Sequence, residues 1–202
     1  MRERILTWLA DHVPEKRLKH ILRVEAMAIE LAQHHDLDAV KAAQAGLMHD
    51  LAKFFAPKRL LAMAQAEGLI LDDVDRADPR LLHADGGAIV ARDEFGVNDV
   101  EVLDAIRNHT LGKPGMSSLS CVVYLADALE PGRGDTAELH ALRRLSQQEL
   151  ATATWRTADY SLRHLLNSRH LIHPRTILTR NWFMQTAPHK AGSMAEKSLP
   201  PA

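Results

Sequence analysis

Nearly the whole chain carries apolar residues at helical spacing, and histidines and aspartates stand inside those apolar stripes. The stretch "AGLMHDLAKFF", Ala45 to Phe55, is the sharpest case. Its alanine-rich, core-like pattern holds His49 and Asp50 side by side, with Lys53 one turn on. Burying an imidazole and a carboxylate without partners costs several kcal/mol. Something must offset that cost, or the face is not buried.

The helical period predicts an all-α fold, a single helical bundle with further helices at its C-terminal end. In the N-terminal segment 1–14 a short amphipathic helix is expected over residues 3–12, stopped before Pro14. Residues 15–35 place Ile21, Val24, Ala28, Leu31 and Ala32 on one face. Residues 38–55 are expected as one helix, with Asp38 as N-cap and Val40, Ala43, Leu47, Leu51 and Phe54 as its stripe. Pro57 suits a first helical position, and Gly68 suits the end of the same helix. "LDDVDRADPR" reads as an acidic connection. Helices follow over 81–95, from Asp99 to about Thr110, and over 117–130. Two more fall within 136–170 with a break near Ser146, and a last one runs from Pro174 to Met184. The main domain is therefore expected at 15–184. Residues 185–202 have no apolar period and are expected to be disordered.

The totals exclude several classes. The net charge is −1, so no global basic field advertises nucleic acid or an acidic membrane. Aromatics make up 4%, too few for base-stacking platforms, and "LHALRRL" is the only local basic cluster. No run approaches the ~18 apolar residues of a membrane span. The N-terminus lacks the apolar core of a signal peptide. One cysteine, Cys121, rules out an internal disulfide framework and fits the cytoplasm. The 12 histidines, several of them between apolar residues, point instead to a metal.

Six residues carry that reading. Adjacent helical residues point about 100° apart, so His49 and Asp50 can reach one ion. His20 shares a face with Val24, Met27 and Leu31, and His109 follows Val102 and Ile106 at helical spacing. Asp127 lies four after Val123 in the most apolar helix, and His83 opens a helix that continues through Gly87 and Val90. Taken singly, each has a structural explanation: a hydrogen-bonded core histidine, a capping aspartate, a helix-start residue. Their coincidence on five helices, each at an inward position, favours convergence on one centre. Imidazole with carboxylate suits iron, manganese or zinc, and the absence of thiolates speaks against a structural zinc site.

The order His20, His49-Asp50, Asp127 resembles the H…HD…D pattern of the HD-domain metal-dependent phosphohydrolases. His83 and His109 resemble the second-metal ligands of dinuclear members. The words "RLKH", "HDLAK", "LLH", "AIRNHTLGKPGM" and "YLADALEPGR" resemble the YqeK-type symmetrical bis(5′-nucleosyl)-tetraphosphatases of bacteria. The resemblance spans residues 15–184 and departs at Ala84, where a glycine often stands. It implies hydrolysis of diadenosine tetraphosphate to two ADP by a hydroxide bridging two transition-metal ions, iron foremost and manganese or zinc also compatible. It implies His20, His49, Asp50 and Asp127 on one ion, with Asp50 bridging and His83 and His109 on the other.

Lys53 could reach a phosphate at the centre, or could equally be a helix-end lysine facing the dipole. Arg133, just past the helix of Asp127, could clamp a phosphate bidentately. Arg17 and Thr110 are further candidate substrate contacts, and Arg180 and Asn181 candidate closing contacts. Two rivals stay open: an HD nucleotidase or phosphodiesterase with another nucleotide substrate, and a non-catalytic HD scaffold. A homodimer through the apolar first helix is a further expectation.

Overall fold

The computed structural model describes residues 1–187. Among these it holds eleven α-helices and no strand. They are α1 (Arg2–His12), α2 (Glu15–His34), α3 (Ala39–Met48), α4 (Pro57–Ala66), α5 (Asp73–Ala77) and α6 (His83–Phe95). The remainder are α7 (Val100–Asn108), α8 (Ser118–Leu129), α9 (Ala137–Ser146), α10 (Leu150–Asn167) and α11 (Pro174–Thr186). Short 3₁₀ turns cover Pro79–Leu82 and Pro131–Arg133.

The centre of the bundle is α2 laid against α3 and α8, with α7 packed on α3, α6 and α8. Close approach of α2 and α3 depends on Gly46, where an added Cβ would stand 3.1 Å from Glu25 Cα and 3.2 Å from Ala28 Cβ. Alanines 28, 32, 42, 45 and 126 let the other backbones near each other, and Leu31, Leu47, Ile106, Leu125 and Leu129 fill the space between. α9 and α10 pack against α8 and each other, and α11 packs on α10, closing one side of the bundle.

The helical expectation holds, with four corrections. First, α3 stops at Met48, and residues 49–55 tighten into turns with bonds from Leu51, Lys53 and Phe55 amides to carbonyls three residues back. The apolar period continues through this stretch, but the backbone does not. Val40 and Phe54, placed in the buried stripe, are 77% and 52% exposed. Second, the acidic connection contains α5, whose start is a reciprocal capping box between Asp72 and Asp75. Third, Ile5 and Leu9 of α1 are buried in the common core, so the apolar face expected at a dimer contact is used within the chain. Fourth, α11 runs on through Thr186 and Ala187 is buried, so the disorder expected from 185 does not hold for residues 185–187. The rest of that expectation, 188–202, lies outside the described residues.

Candidate metal centre

The six residues singled out by the apolar pattern meet at one place. His20 comes from the first turns of α2, His49 and Asp50 from the turn that ends α3, His83 from the first residue of α6, His109 from the end of α7 and Asp127 from the last turn of α8. All but Asp127 are buried, and Asp127 is partly open to a cavity. The rings of His20 and His49, His49 and His109, and His83 and His109 meet edge to face at centroid distances of 5.4, 4.9 and 5.0 Å.

The other side of each ring sets its tautomer. His49 Nδ1 donates to the carbonyl of Gly46, His83 Nδ1 to that of Arg80 and His109 Nδ1 to that of Ile106, each at 2.7 Å. His20 Nδ1 donates instead to a carboxylate, Glu130 Oε1, at 3.0 Å. A carbonyl or carboxylate only accepts, so each Nδ1 carries the proton and each Nε2 of a neutral ring keeps a lone pair. All four lone pairs face the same space.

Asp50 spans that space. Its Oδ2 lies 3.3 Å from His49 Nε2 and 3.9 Å from His20 Nε2, while Oδ1 lies 3.4 Å from His83 Nε2 and 3.8 Å from His109 Nε2. Asp127 Oδ1 lies 3.1 Å from His20 Nε2 and 3.8 Å from His49 Nε2. The arrangement has two donor groups with one carboxylate between them.

These residues fit a cation. The Nε2 atoms of His20 and His49 are fully buried and make no hydrogen bond. His83 Nε2 and His109 Nε2 stand 3.1 Å apart, two acceptors that converge on one point and share it with the Lys53 ammonium and the Thr110 hydroxyl. No sulfur is present, and the mixed nitrogen and oxygen set suits iron, manganese or zinc. A second histidine–carboxylate group, Asp72, Asp75 and His173, has the opposite chemistry. His173 Nδ1 accepts from the Arg175 amide at 3.0 Å. Its proton is therefore on Nε2, which donates to Asp72 and Asp75 at 3.1 and 3.2 Å. That group is a latch between the start of α11 and α5, with no imidazole lone pair left for an ion.

The electrostatics follow from burial and crowding. Burial alone disfavours charge on Asp50 and Asp127, yet the surrounding imidazoles, with Lys53 and Arg133, hold both carboxyls well below the usual range. Burial, reinforced by Lys53, pushes His83 down to about 4. Burial and the neighbouring histidines hold His109 well below its ordinary value. For His49 burial also opposes charge, but the Asp50 and Asp127 carboxylates outweigh it and hold its pKa above the ordinary value.

The cationic candidates border the centre as well. Arg17 Nη1 donates to Asp50 Oδ2 at 2.9 Å, Lys53 Nζ donates to His83 Nε2 at 3.1 Å, and Arg133 pairs with Asp127. The Thr110 hydroxyl lies 2.8 Å from His109 Nε2. Arg180 and Asn181 do not reach the centre. Arg180 pairs with Asp159 of α10 at 2.8 Å and with Asn181 itself. Glu130 was missed, although it sits three residues after Asp127 in the quoted "ADALEPGR". It is 1% exposed and also binds Arg23 and the Gly132 amide. A carboxylate beside proline and glycine reads as surface, and only its partner across the fold shows otherwise.

Comparison with known proteins agrees with this geometry. The HD domain matches residues 17–132. The chain is 35% identical over 186 residues to the symmetrical bis(5′-nucleosyl)-tetraphosphatase of Bacillus subtilis strain 168, covering 91% of this chain and 97% of that one. It is 34% identical over 180 residues to the enzyme of the same name from Halalkalibacterium halodurans, covering 89% and 95%. A crystal structure from Clostridium acetobutylicum, described as a predicted HD superfamily hydrolase involved in NAD metabolism, superposes with a TM-score of 0.87. That protein is 34% identical, and the match covers 92% of this chain and 97% of the other. The family match contains all six converging residues, and the full-length likeness extends through the helices beyond it: the chain belongs to the HD-domain family.

Proposed function

We propose that this protein is a metal-dependent hydrolase that cleaves diadenosine tetraphosphate symmetrically to two ADP. The observation that carries the reading is the set of four imidazoles whose Nδ1 protons are all spent outward, leaving four Nε2 lone pairs and two carboxylates around one space. The near-full-length likeness to two enzymes named for this reaction supports the substrate.

In this reading His20, His49, Asp50 and Asp127 would hold one ion and His83 and His109 a second, with Asp50 placed to serve both. Iron is the first choice, with manganese or zinc also compatible with the donor set. Such ions supply Lewis acidity and lower the pKa of bound water toward neutrality.

The protein's own residues do the rest. A water oxygen bonds to one β-phosphorus, the bond from that phosphorus to the bridging oxygen breaks, and the second ADP leaves with that oxygen. Phosphoryl transfer of this kind needs positioning and charge neutralisation more than covalent help. Lys53 and Arg133 are placed to take up charge on the phosphate oxygens, Arg17 steadies Asp50 and borders the same space, and Thr110 offers a hydroxyl at its edge. Four cationic residues, Lys16, Arg17, Arg23 and Arg133, line a cavity of about 520 Å³ beside His20 that suits a polyphosphate chain.

One chain supplies the whole centre, so the chemistry does not require the homodimer that the sequence allowed. No helix among the described residues is long and apolar enough to cross a membrane. We place the catalytic domain at 15–184 and the enzyme in the cytoplasm, where its nucleotide substrate and its single thiol both fit.

Metal analysis of the purified protein, coupled to chromatography of the products from diadenosine tetraphosphate, tests the reading. Two equivalents of ADP with stoichiometric transition metal are expected. AMP with ATP would place the attacked bond elsewhere. Turnover of a nucleoside monophosphate alone would move the substrate class, and the absence of both metal and activity would leave a scaffold.

A further inference from the structure

Arg133 borders both cavities at the metal centre, the basic one beside His20 and a second beside His109 and Asp127. It ends the 3₁₀ turn Pro131–Arg133, between the end of α8 and the start of α9. Its own contacts are local: Nε donates to the Asp127 carbonyl at 2.8 Å, and Nη2 pairs with the Asp127 carboxylate. Glycines at 132 and 134 give this turn little stiffness of its own, and Gly134 adopts φ +127°.

The stiffness comes from α9. Arg143 Nε donates to the Leu129 carbonyl at 2.7 Å, and Nη2 donates to the carbonyls of Glu130 at 3.2 Å and Gly134 at 2.8 Å. One planar guanidinium thus ties the entry of the turn to its exit. The carbonyls at the end of α8 lack donors within the helix, and a cation there also complements the helix dipole. A second guanidinium, Arg23 of α2, lies against the middle of the turn. A Cβ on Gly132 would stand 2.4 Å from Arg23 Nη2 and 2.7 Å from its Cζ.

We infer that Arg143 is a positioning residue for the hydrolysis, presetting the turn so that Arg133 meets the phosphate already in place. The inference rests on the phosphate role given to Arg133 above and adds what holds that arginine. Arg143 borders neither cavity at the centre, so it acts through the turn and not on the substrate. A side chain ordered before its ligand arrives spares the ordering cost in binding and in the transition state. The basic cluster "LHALRRL" is thereby divided: Arg144 is exposed, whereas Arg143 is half-buried and spends its N–H groups on the turn. A lysine at 143 would bring the charge without the rigid fork that reaches three carbonyls.

A double-mutant cycle between Arg143 and Arg133 tests this. Inorganic pyrophosphate is titrated calorimetrically into the manganese-loaded wild type, Arg143→Lys, Arg133→Ala and the double variant. Arg143→Lys keeps the charge and most of the stem, so folding should survive; circular dichroism and metal content check it, and Arg143→Gln is a second variant with the same expectation. Pyrophosphate affinity is expected to fall about fivefold or more in Arg143→Lys, and by less than about twofold when the same change is made beside Arg133→Ala. Arg144→Ala, one position away and exposed, should bind as the wild type does. Wild-type affinity in Arg143→Lys, an equal loss with and without Arg133, or the same loss in Arg144→Ala would overturn the inference. Hydrolysis of diadenosine tetraphosphate is followed in the same proteins. The pyrophosphate cycle decides the role of Arg143 and the hydrolysis decides the substrate, so either can fail without the other.

Discussion

Glu130 reaches back from the far end of α8 to hold a residue of α2. Its Oε1 accepts from His20 Nδ1 at 3.0 Å, and its other oxygen takes Arg23 and the Gly132 amide. The other three histidines of the centre donate to neutral carbonyls, so His20 alone has a charged acceptor behind it. A carboxylate behind a histidine ligand raises the basicity of the free nitrogen and fixes its direction. Glu130→Gln keeps the shape and removes the charge. Metal affinity is expected to fall about 10–100-fold, as for other changes behind a ligand, read by competition with a chromophoric chelator. Affinity equal to wild type would show that the carbonyl-type acceptor is sufficient. Asp50 lies between both donor groups, so Asp50→Ala should abolish turnover and metal retention together. A variant that kept both would locate the chemistry elsewhere.

At the scale of the elements, the centre depends on helix ends, where backbone geometry changes within a residue or two. The loop after α7 shows this. Gly112 has φ +66°, and a Cβ there would stand 2.4 Å from Thr179 Cγ2 of α11. Thr179 Oγ1 also lies 3.1 Å from the Leu111 carbonyl, so the contact fixes the loop that carries His109 and Thr110. Gly112→Ala should cost about 2–4 kcal/mol, combining left-handed strain with overpacking. Gly96, the C-cap of α6, has φ +72° but open space around it. Gly96→Ala should cost only about 1–2 kcal/mol. Chemical denaturation of both variants separates the terms, and equal losses would mean that the α11 contact carries no weight.

Those same helix ends mark the limit of what the sequence could reveal. Long amphipathic elements such as α2 and α8 are legible because their period repeats over many residues, and the inward positions of His20 and Asp127 are legible with them. The end of α3 at Met48 is not, because Leu51 and Phe54 prolong the helical spacing while the chain tightens into turns that aim His49 and Asp50. The start of α5 was readable in principle from the Asp72–Asp75 spacing, but it hides within an acidic run that looks like a solvated loop. Glu130 depends on partners far away in the chain, His20 and Arg23, which no local period encodes.

Across the whole molecule, five separate elements are tied at a point where like groups crowd, and that predicts how the metal-free protein responds to acid. His83 titrates near 4 and His109 well below its ordinary value, against about 6.5 for an unfolded histidine. As pH falls from 6.5, the unfolded chain takes up protons that the folded one refuses. Stability therefore drops over the window from about 6.5 to 4, by about 3 kcal/mol from His83 alone. His49, held above its ordinary value, works in the opposite sense: its contribution is complete below 6.5 and is lost as pH rises through its folded pKa. Asp50 and Asp127, both held low, add a further loss below about 3.8. The chelator-treated protein should thus melt at its highest temperature near pH 6.5 and at progressively lower temperatures toward pH 4.5. Saturating metal binds only the folded state and adds about 2.7 kcal/mol at a hundredfold excess over Kd, or about 5–11 °C for a chain of this size. Because protons compete for the same imidazoles, that increment should itself shrink as the pH is lowered. Melting curves with and without manganese from pH 4.5 to 8 measure both effects. A metal increment independent of pH would mean that the ion is held by groups other than these histidines.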